Sequence, residues 1–256
     1  MIEKGLVFGD THVPNEDGKA VELLMRFTLD FKPDVLVDLG DTCDFPSVNH
    51  WLPKGDRRRE GQRLVKDIQH LLRFSFLLKN NCPTHCDCVK LTGNHEHWLQ
   101  RFVNENPALE GLPNLDLATQ YKEMNWKVVP WSQFYNRGKL MFHHGDRLGY
   151  QGKYHAAQWA TLGHSIIYGH RHDVQRFTHE VLGKRGDIKR HAAFAMGCLC
   201  KFDMDYMRNR KMNWQQGFGV WFSDTETGAF QVCPIDINNG RLVWQDKLYE
   251  AGKVVR

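Results

Sequence analysis

Five short polar clusters each stand where an apolar run ends: GDTH at 9–12, GDTCD at 40–44, GNHEHW at 93–98, HHGD at 143–146 and GHRH at 169–172. One such cluster after a strand is an ordinary turn. Five in order call for a fold that brings the ends of several strands together. Open α/β sheets do this, because the loops beyond the carboxyl ends of their strands line a shared crevice. The clusters hold Asp10, His12, Asp41, Asn94, His144, His170 and His172. These are oxygen and imidazole donors with no thiolate among them, the make-up of a metal site.

The rest of the chain supports that architecture. LVFGD (6–10) is an apolar run entering a loop, as expected of a strand. Over 19–31 the apolar residues Val21, Leu24, Phe27 and Phe31 recur at helical spacing. Pro33 breaks that pattern and DVLVDLGD returns to a strand. This β-helix-β order implies parallel pairing, since a parallel connection needs a long crossover. The basic stretch 54–63 opens a long helix with Leu64, Val65, Ile68, Leu71, Leu72, Phe76 and Leu77 on its apolar face. CVKLTGNHE is the third strand and loop, while 99–137 reads as irregular, with PALEGLPNL and VVPW as turns. An insertion there is placed to shape a substrate cleft. KLMFHHGD and HSIIYGHRH are two further strands, with a short helix in YQGKYHAAQWATLG between them. Alternating segments around TETG and NNG predict antiparallel hairpins over 192–250. The expected fold class is α/β, with residues 1–256 forming one domain of packed sheets that those hairpins complete.

A length of 256 residues allows a substantial core, and a charge of +4 is too mild to require a nucleic-acid partner. No apolar stretch reaches the ~20 residues that span a bilayer. The amino terminus enters a strand without an apolar leader, so a cytoplasmic protein with no membrane partner is expected. Seven cysteines make an odd count, unlike a disulfide scaffold. Cys82, His85, Cys86 and Cys88 in CPTHCDC read either as part of a structural zinc site or as reduced thiols around a turn. The first reading lacks both C-x2-C spacing and a second half. Cys198 and Cys200 alternate as buried strand residues do.

Asp10 and His12, two apart, can grip one cation from a tight loop, and Asp41 can bridge two. Two-metal hydrolysis needs ions ~3.5–4 Å apart. Imidazole-rich sites suit Mn, Fe, Zn, Ni or Co over magnesium and calcium, and Mn2+ is the expected activator of a pair of divalent ions. The glycines before Asp10, Asp41, Asn94 and His170 permit tight turns and close approach.

From Asp10 to His172 these motifs resemble those of the calcineurin-like metallophosphoesterase family, whose fold is a central β-sandwich flanked by helices. The resemblance implies one metal on Asp10, His12 and His172 and another on Asn94, His144 and His170, with Asp41 bridging. It places His95, after Asn94, in catalysis, where it stabilises or protonates the leaving group. Asp44, the second Asp of the GD-x-x-D motif, either orients His95 or serves as a cap or turn residue. The implied reaction is hydrolysis of a phosphate ester. The family's phosphoprotein phosphatases carry arginines where this chain has Phe45 and Thr92, which counts against phosphoserine or phosphothreonine. Arg171 either points to solvent or meets a second charged group of the substrate.

A phosphodiester in a nucleotide or nucleic acid is therefore the leading substrate class. A small phosphomonoester, or a metal-binding nuclease subunit with little turnover, are the alternatives. Lys54, Arg57, Arg58, Arg59 and Arg63, with Arg208, Arg210 and Lys211, could follow a polyphosphate backbone or be solvated surface. Trp51 and Trp98 could stack on a base or simply pack. Oligomeric partners leave no signal in the chain.

Overall fold

Alternate residues of the first strand serve different layers, with Leu6 and Phe8 facing one side and Val7 the other. The computed structural model describes residues 1–256 apart from 50–51, 54, 147–153, 184–185, 204–212 and 254–256. Strands β1 (Ile2–Phe8), β2 (Val35–Asp38), β3 (Asp87–Leu91) and β4 (Trp126–Val129) run parallel. Strand β10 (Gln216–Asp224) adds antiparallel to β1 and β11 (Phe230–Ile237) to β10, giving the order β11-β10-β1-β2-β3-β4. A second sheet holds β5 (Tyr135–Arg137), β6 (Leu140–His143), β7 (Ile166–Tyr168), β8 (Val174–Leu182) and β9 (Ile188–Met196), in the order β5-β6-β7-β9-β8.

Val7, Val37 and Val89 of the first sheet meet Phe142, Ile167 and Phe194 of the second in one apolar layer. The other face of the first sheet, with Leu6, Leu36 and Cys88, is covered by helices α1 (Gly18–Phe31) and α2 (Leu64–Asn80). Helix α5 (His155–Thr161) covers the outer face of the second sheet, where Trp159 packs with Tyr168 and Ala193. Helices α3 (Asn94–Glu105) and α4 (Leu117–Glu123) follow β3. The result is an α/β fold with a central sandwich of mixed sheets flanked by helices, as the motif resemblance implied.

Several local expectations are corrected. Helix α1 starts one residue before the periodic stretch because Asp17 accepts from the Lys19 and Ala20 amides. The basic stretch does not open α2: Arg57–Arg59 is a separate single turn, and α2 begins at Leu64. Its buried face is Ile68, Leu71, Phe74 and Leu78, while Val65, Phe76 and Leu77 stay exposed. The segment 99–137 is not irregular, since it holds most of α3, then α4, β4 and β5. These elements are short, and a polar first turn hides the start of α3. The NNG turn does not close a hairpin on β11. It releases β12 (Arg241–Trp244) to pair with β13 (Lys247–Glu250) alone. Leu242 and Tyr249 of that pair join the core around α1. Among the described residues no helix is long and apolar enough to cross a membrane.

Candidate metal centre

All five motif loops leave the carboxyl ends of parallel strands, after Phe8, Asp38, Leu91, His143 and Tyr168. The turns are tight at the donor residues themselves. Asp10, His12, Asp41, His170 and His172 all have positive φ, between 50° and 68°. Asp and His tolerate this region better than most residues, yet each departure costs on the order of 1 kcal/mol. Of the preceding glycines, Gly40 serves the turn itself at φ 105°, and Gly93 and Gly169 allow close approach, the two uses expected. A Cβ on Gly93 would lie 2.2 Å from Asp41 Oδ1, and one on Gly169 would lie 2.5 Å from Asp10 Oδ2.

Asp10, His12 and His172 form the first donor group, and all three are buried. The Nε2 atoms of His12 and His172 face each other at 3.2 Å. His172 Nε2 lies 3.2 Å from Asp10 Oδ1, yet that oxygen is buried without an aligned hydrogen bond. Two imidazole nitrogens and an unpartnered carboxylate oxygen pointing at one spot suit a divalent cation. Burial would raise the Asp10 carboxyl, but the neighbouring His172 outweighs it and holds the group below its ordinary range.

Asp41, His144 and His170 form the second group. His144 Nδ1 donates to the Leu39 carbonyl at 3.0 Å, which turns Nε2 toward the site. Around that Nε2 lie Asn94 Oδ1 at 2.9 Å, Asp41 Oδ2 at 3.1 Å and His170 Nδ1 at 3.2 Å. Burial opposes a charge on His144, but Asp41 overrides it and raises the imidazole to about 10. Burial and then His144 push His170 down to about 3, leaving it a neutral lone-pair donor. A cation entering here takes the place of the His144 proton. The groups adjoin, since the His170 amide donates to Asp10 Oδ2 at 2.7 Å.

His95 and Asp44, both buried, adjoin the donors at Asp41 and His12. His95 Nδ1 donates to the Asp44 main-chain carbonyl at 2.9 Å, leaving Nε2 3.9 Å from Asp41 Oδ2. The Asp44 carboxylate lies 3.3 Å from His95 Nδ1, but its hydrogen bonds go to His12 Nδ1 at 3.1 Å and Asn15 Nδ2 at 2.9 Å. Asp44 therefore orients His95 mainly through its carbonyl and His12 through its carboxylate. Trp98 packs against the His95 ring, centroids 3.8 Å apart and planes tilted by 33°, and is 7% exposed, so it offers no free face to a base.

Behind the donors lies a charged network that the motifs did not reveal. Glu96, the last residue of GNHE, accepts from the Asp41 and Gly93 amides at 2.9 Å each and from Thr42 N at 2.8 Å. It thus ties the second loop to the third. Lys90, buried in β3, lies 3.0 Å from both Glu96 and Asp38 and donates to Thr42 Oγ1. Burial disfavours its charge, but the two carboxylates outweigh that and hold its pKa above the ordinary lysine value. A lysine flanked by apolar strand residues carries no local mark of this role. Cys200 Sγ stands 4.0 Å from His172 Nδ1, a contact equally invisible in the sequence.

Of the described residues of the expected basic surface, Arg57, Arg58 and Arg63 are exposed, whereas Arg59 is engaged within the protein. Arg59 donates to the carbonyls of Ser47, Asn49 and Leu52 at 3.1, 2.5 and 2.6 Å, bracing the loop after the second motif. Arg58 pairs with Asp56 at 2.7 Å. Arg57 is 96% exposed. Lys54, Trp51, Arg208, Arg210 and Lys211 lie outside the described residues. Phe45 is fully buried, and Thr92 donates to the Val129 carbonyl at 3.0 Å.

No family model matches the chain. It is 27% identical to the Gene 54 protein of Mycobacterium phage D29, over 92% of this chain and 94% of that one. Among solved structures it is similar to Vacuolar Protein Sorting 29 from Cryptosporidium parvum, at 14% identity and a TM-score of 0.49, covering 94% of this chain and 95% of that one. It is also similar to Yfce, a phosphoesterase from E. coli, at 15% identity and a TM-score of 0.36, covering 90% and 98%. In the order of its motifs and in its helix-flanked sandwich, the chain resembles the calcineurin-like metallophosphoesterases.

Proposed function

We propose that this chain is a metal-dependent phosphoester hydrolase acting on a phosphodiester, in a nucleotide or a nucleic acid. The observation that carries this reading is the adjacency of two nitrogen and oxygen donor groups, Asp10/His12/His172 and Asp41/His144/His170. Asp10, His12 and His172 would hold one divalent ion, and Asp41, Asn94, His144 and His170 a second; such ions would supply Lewis-acid neutralisation of the phosphoryl oxygens and lower the pKa of water. Mn2+ is the leading candidate, and Fe2+, Co2+, Ni2+ or Zn2+ fit the same donors.

The chain's own residues position and move protons. The Asp44 carbonyl accepts from His95 Nδ1–H and so turns Nε2 toward Asp41, the position from which a proton carried there would reach the leaving oxygen. The Asp44 carboxylate fixes His12 in the same way, leaving its Nε2 as a lone-pair donor. Glu96 and Lys90 lock the second and third loops together, so the donors need not rearrange as charge develops. Phe45 is buried and uncharged where the family's phosphoprotein phosphatases carry an arginine, which argues against phosphoprotein substrates.

The engagement of Arg58 and Arg59 within the protein favours a second reading, a small phosphomonoester. The seven free cysteines fit a reducing compartment, and we assign the cytoplasm. We also take 1–256 as one domain, because both sheets share an apolar layer. Metal-reconstituted protein should hydrolyse bis(p-nitrophenyl) phosphate and oligonucleotides faster than p-nitrophenyl phosphate. A clear preference for the monoester replaces the first reading with the second.

A further inference from the structure

Three thiols converge at the end of β3 opposite the donor groups. Cys82 follows the end of α2, its amide donating to the Lys79 carbonyl at 2.9 Å. Cys86 closes the next turn onto Pro83 at 3.0 Å, and Cys88 is the second residue of β3. Cys86 and Cys88 are two apart in extended chain and share a face, with exposed Asp87 between them on the other. The three sulfurs lie within 4.8 Å of one another. The three thiols hydrogen-bond to one another. Otherwise each Sγ reaches a carbonyl at long range, 3.6 Å for Cys82, 3.9 Å for Cys86 and 3.8 Å for Cys88.

We propose that Cys82, Cys86 and Cys88 hold one zinc ion that ties the end of α2 to the start of β3. Zinc–thiolate bonds of about 2.3 Å set tetrahedral sulfurs about 3.8 Å apart, within short side-chain adjustments of the spacing here. A cleft of about 740 Å³ is lined by all three cysteines, Lys79 and Lys127. It gives the ion an entry path and admits a water as fourth ligand. The two lysines offset the net negative charge of three thiolates around a dication. As the ion binds, the thiol protons leave to solvent. Thiolates select zinc where the nitrogen and oxygen donors accept manganese, so the two centres differ in metal preference.

The test uses cobalt as a spectroscopic stand-in on the full chain, reduced and kept free of oxygen. Wild type should show a near-ultraviolet thiolate-to-cobalt charge-transfer band that saturates at one equivalent and is displaced by zinc. The nitrogen and oxygen donor groups cannot produce that band. It should vanish in Cys82→Ser and in Cys86→Ser, two half-buried positions where serine fits. Absence of the band in wild type overturns the proposal. So does its persistence in both variants with loss in Cys200→Ser, which would put the thiolate behind His172.

Discussion

The two ends of strand β3 place their donors by different means. Beyond Leu91, imidazole and carboxylate donors come from five loops, and five of these residues sit at positive φ. Two of the imidazoles are oriented by a further group, His144 by the Leu39 carbonyl and His12 by Asp44. Before Asp87, three thiols come from one short segment, and none of residues 82–88 has a positive φ. The first end stores backbone strain that only a braced framework sustains, as reacting centres do. The second costs no strain and spans only local chain, as suits a staple. Strain and bracing, rather than donor count, mark the end where chemistry is expected.

The comparison breaks first at Asp41. Asp41→Asn removes the carboxylate of the second donor group, which we propose both ions share, and should lower phosphodiester hydrolysis by about 10⁴-fold, with bound metal falling below two equivalents. Activity within tenfold of wild type would mean that the donor groups do not perform the reaction. His95→Ala should lower turnover by about 10³-fold, within the usual range of acid-base help, while metal content by elemental analysis stays at the wild-type value. Loss of an ion would make His95 a ligand instead. Lys90→Met leaves Asp38 and Glu96 buried without their cation and should cost about 3 kcal/mol in urea unfolding. A cost below 1 kcal/mol would show that the bracing network is dispensable. Smallest of all, Cys86→Ser at the other end should change hydrolysis by no more than about twofold, because it touches none of the donors. A larger kinetic effect would couple the two ends of β3.

The donor positions were legible because each sits in a short motif after an apolar run, and the structure brings Asp10, His12, Asp41, Asn94, His144, His170 and His172 together. The α/β sandwich was legible from β-helix-β order followed by alternating segments. What escaped is set by distant partners. Nothing local shows that β10 pairs with β1 across more than two hundred residues, or that NNG sends β12 away from the sheet. Lys90 reads as an ordinary strand residue until Asp38 and Glu96 are seen on either side of it. Arg59 reads as surface charge until three carbonyls are found around it. The roles of Asp44 divide between its carbonyl and its carboxylate, a distinction no motif carries.

The most direct test of the central claim is a metal titration of chelator-stripped protein. Bound Mn2+ and hydrolysis of bis(p-nitrophenyl) phosphate are followed in the same samples. The account predicts negligible hydrolysis without metal and activity that rises to a plateau as two equivalents of Mn2+ bind. Undiminished hydrolysis by the metal-free protein, or full activity at one equivalent, would contradict it.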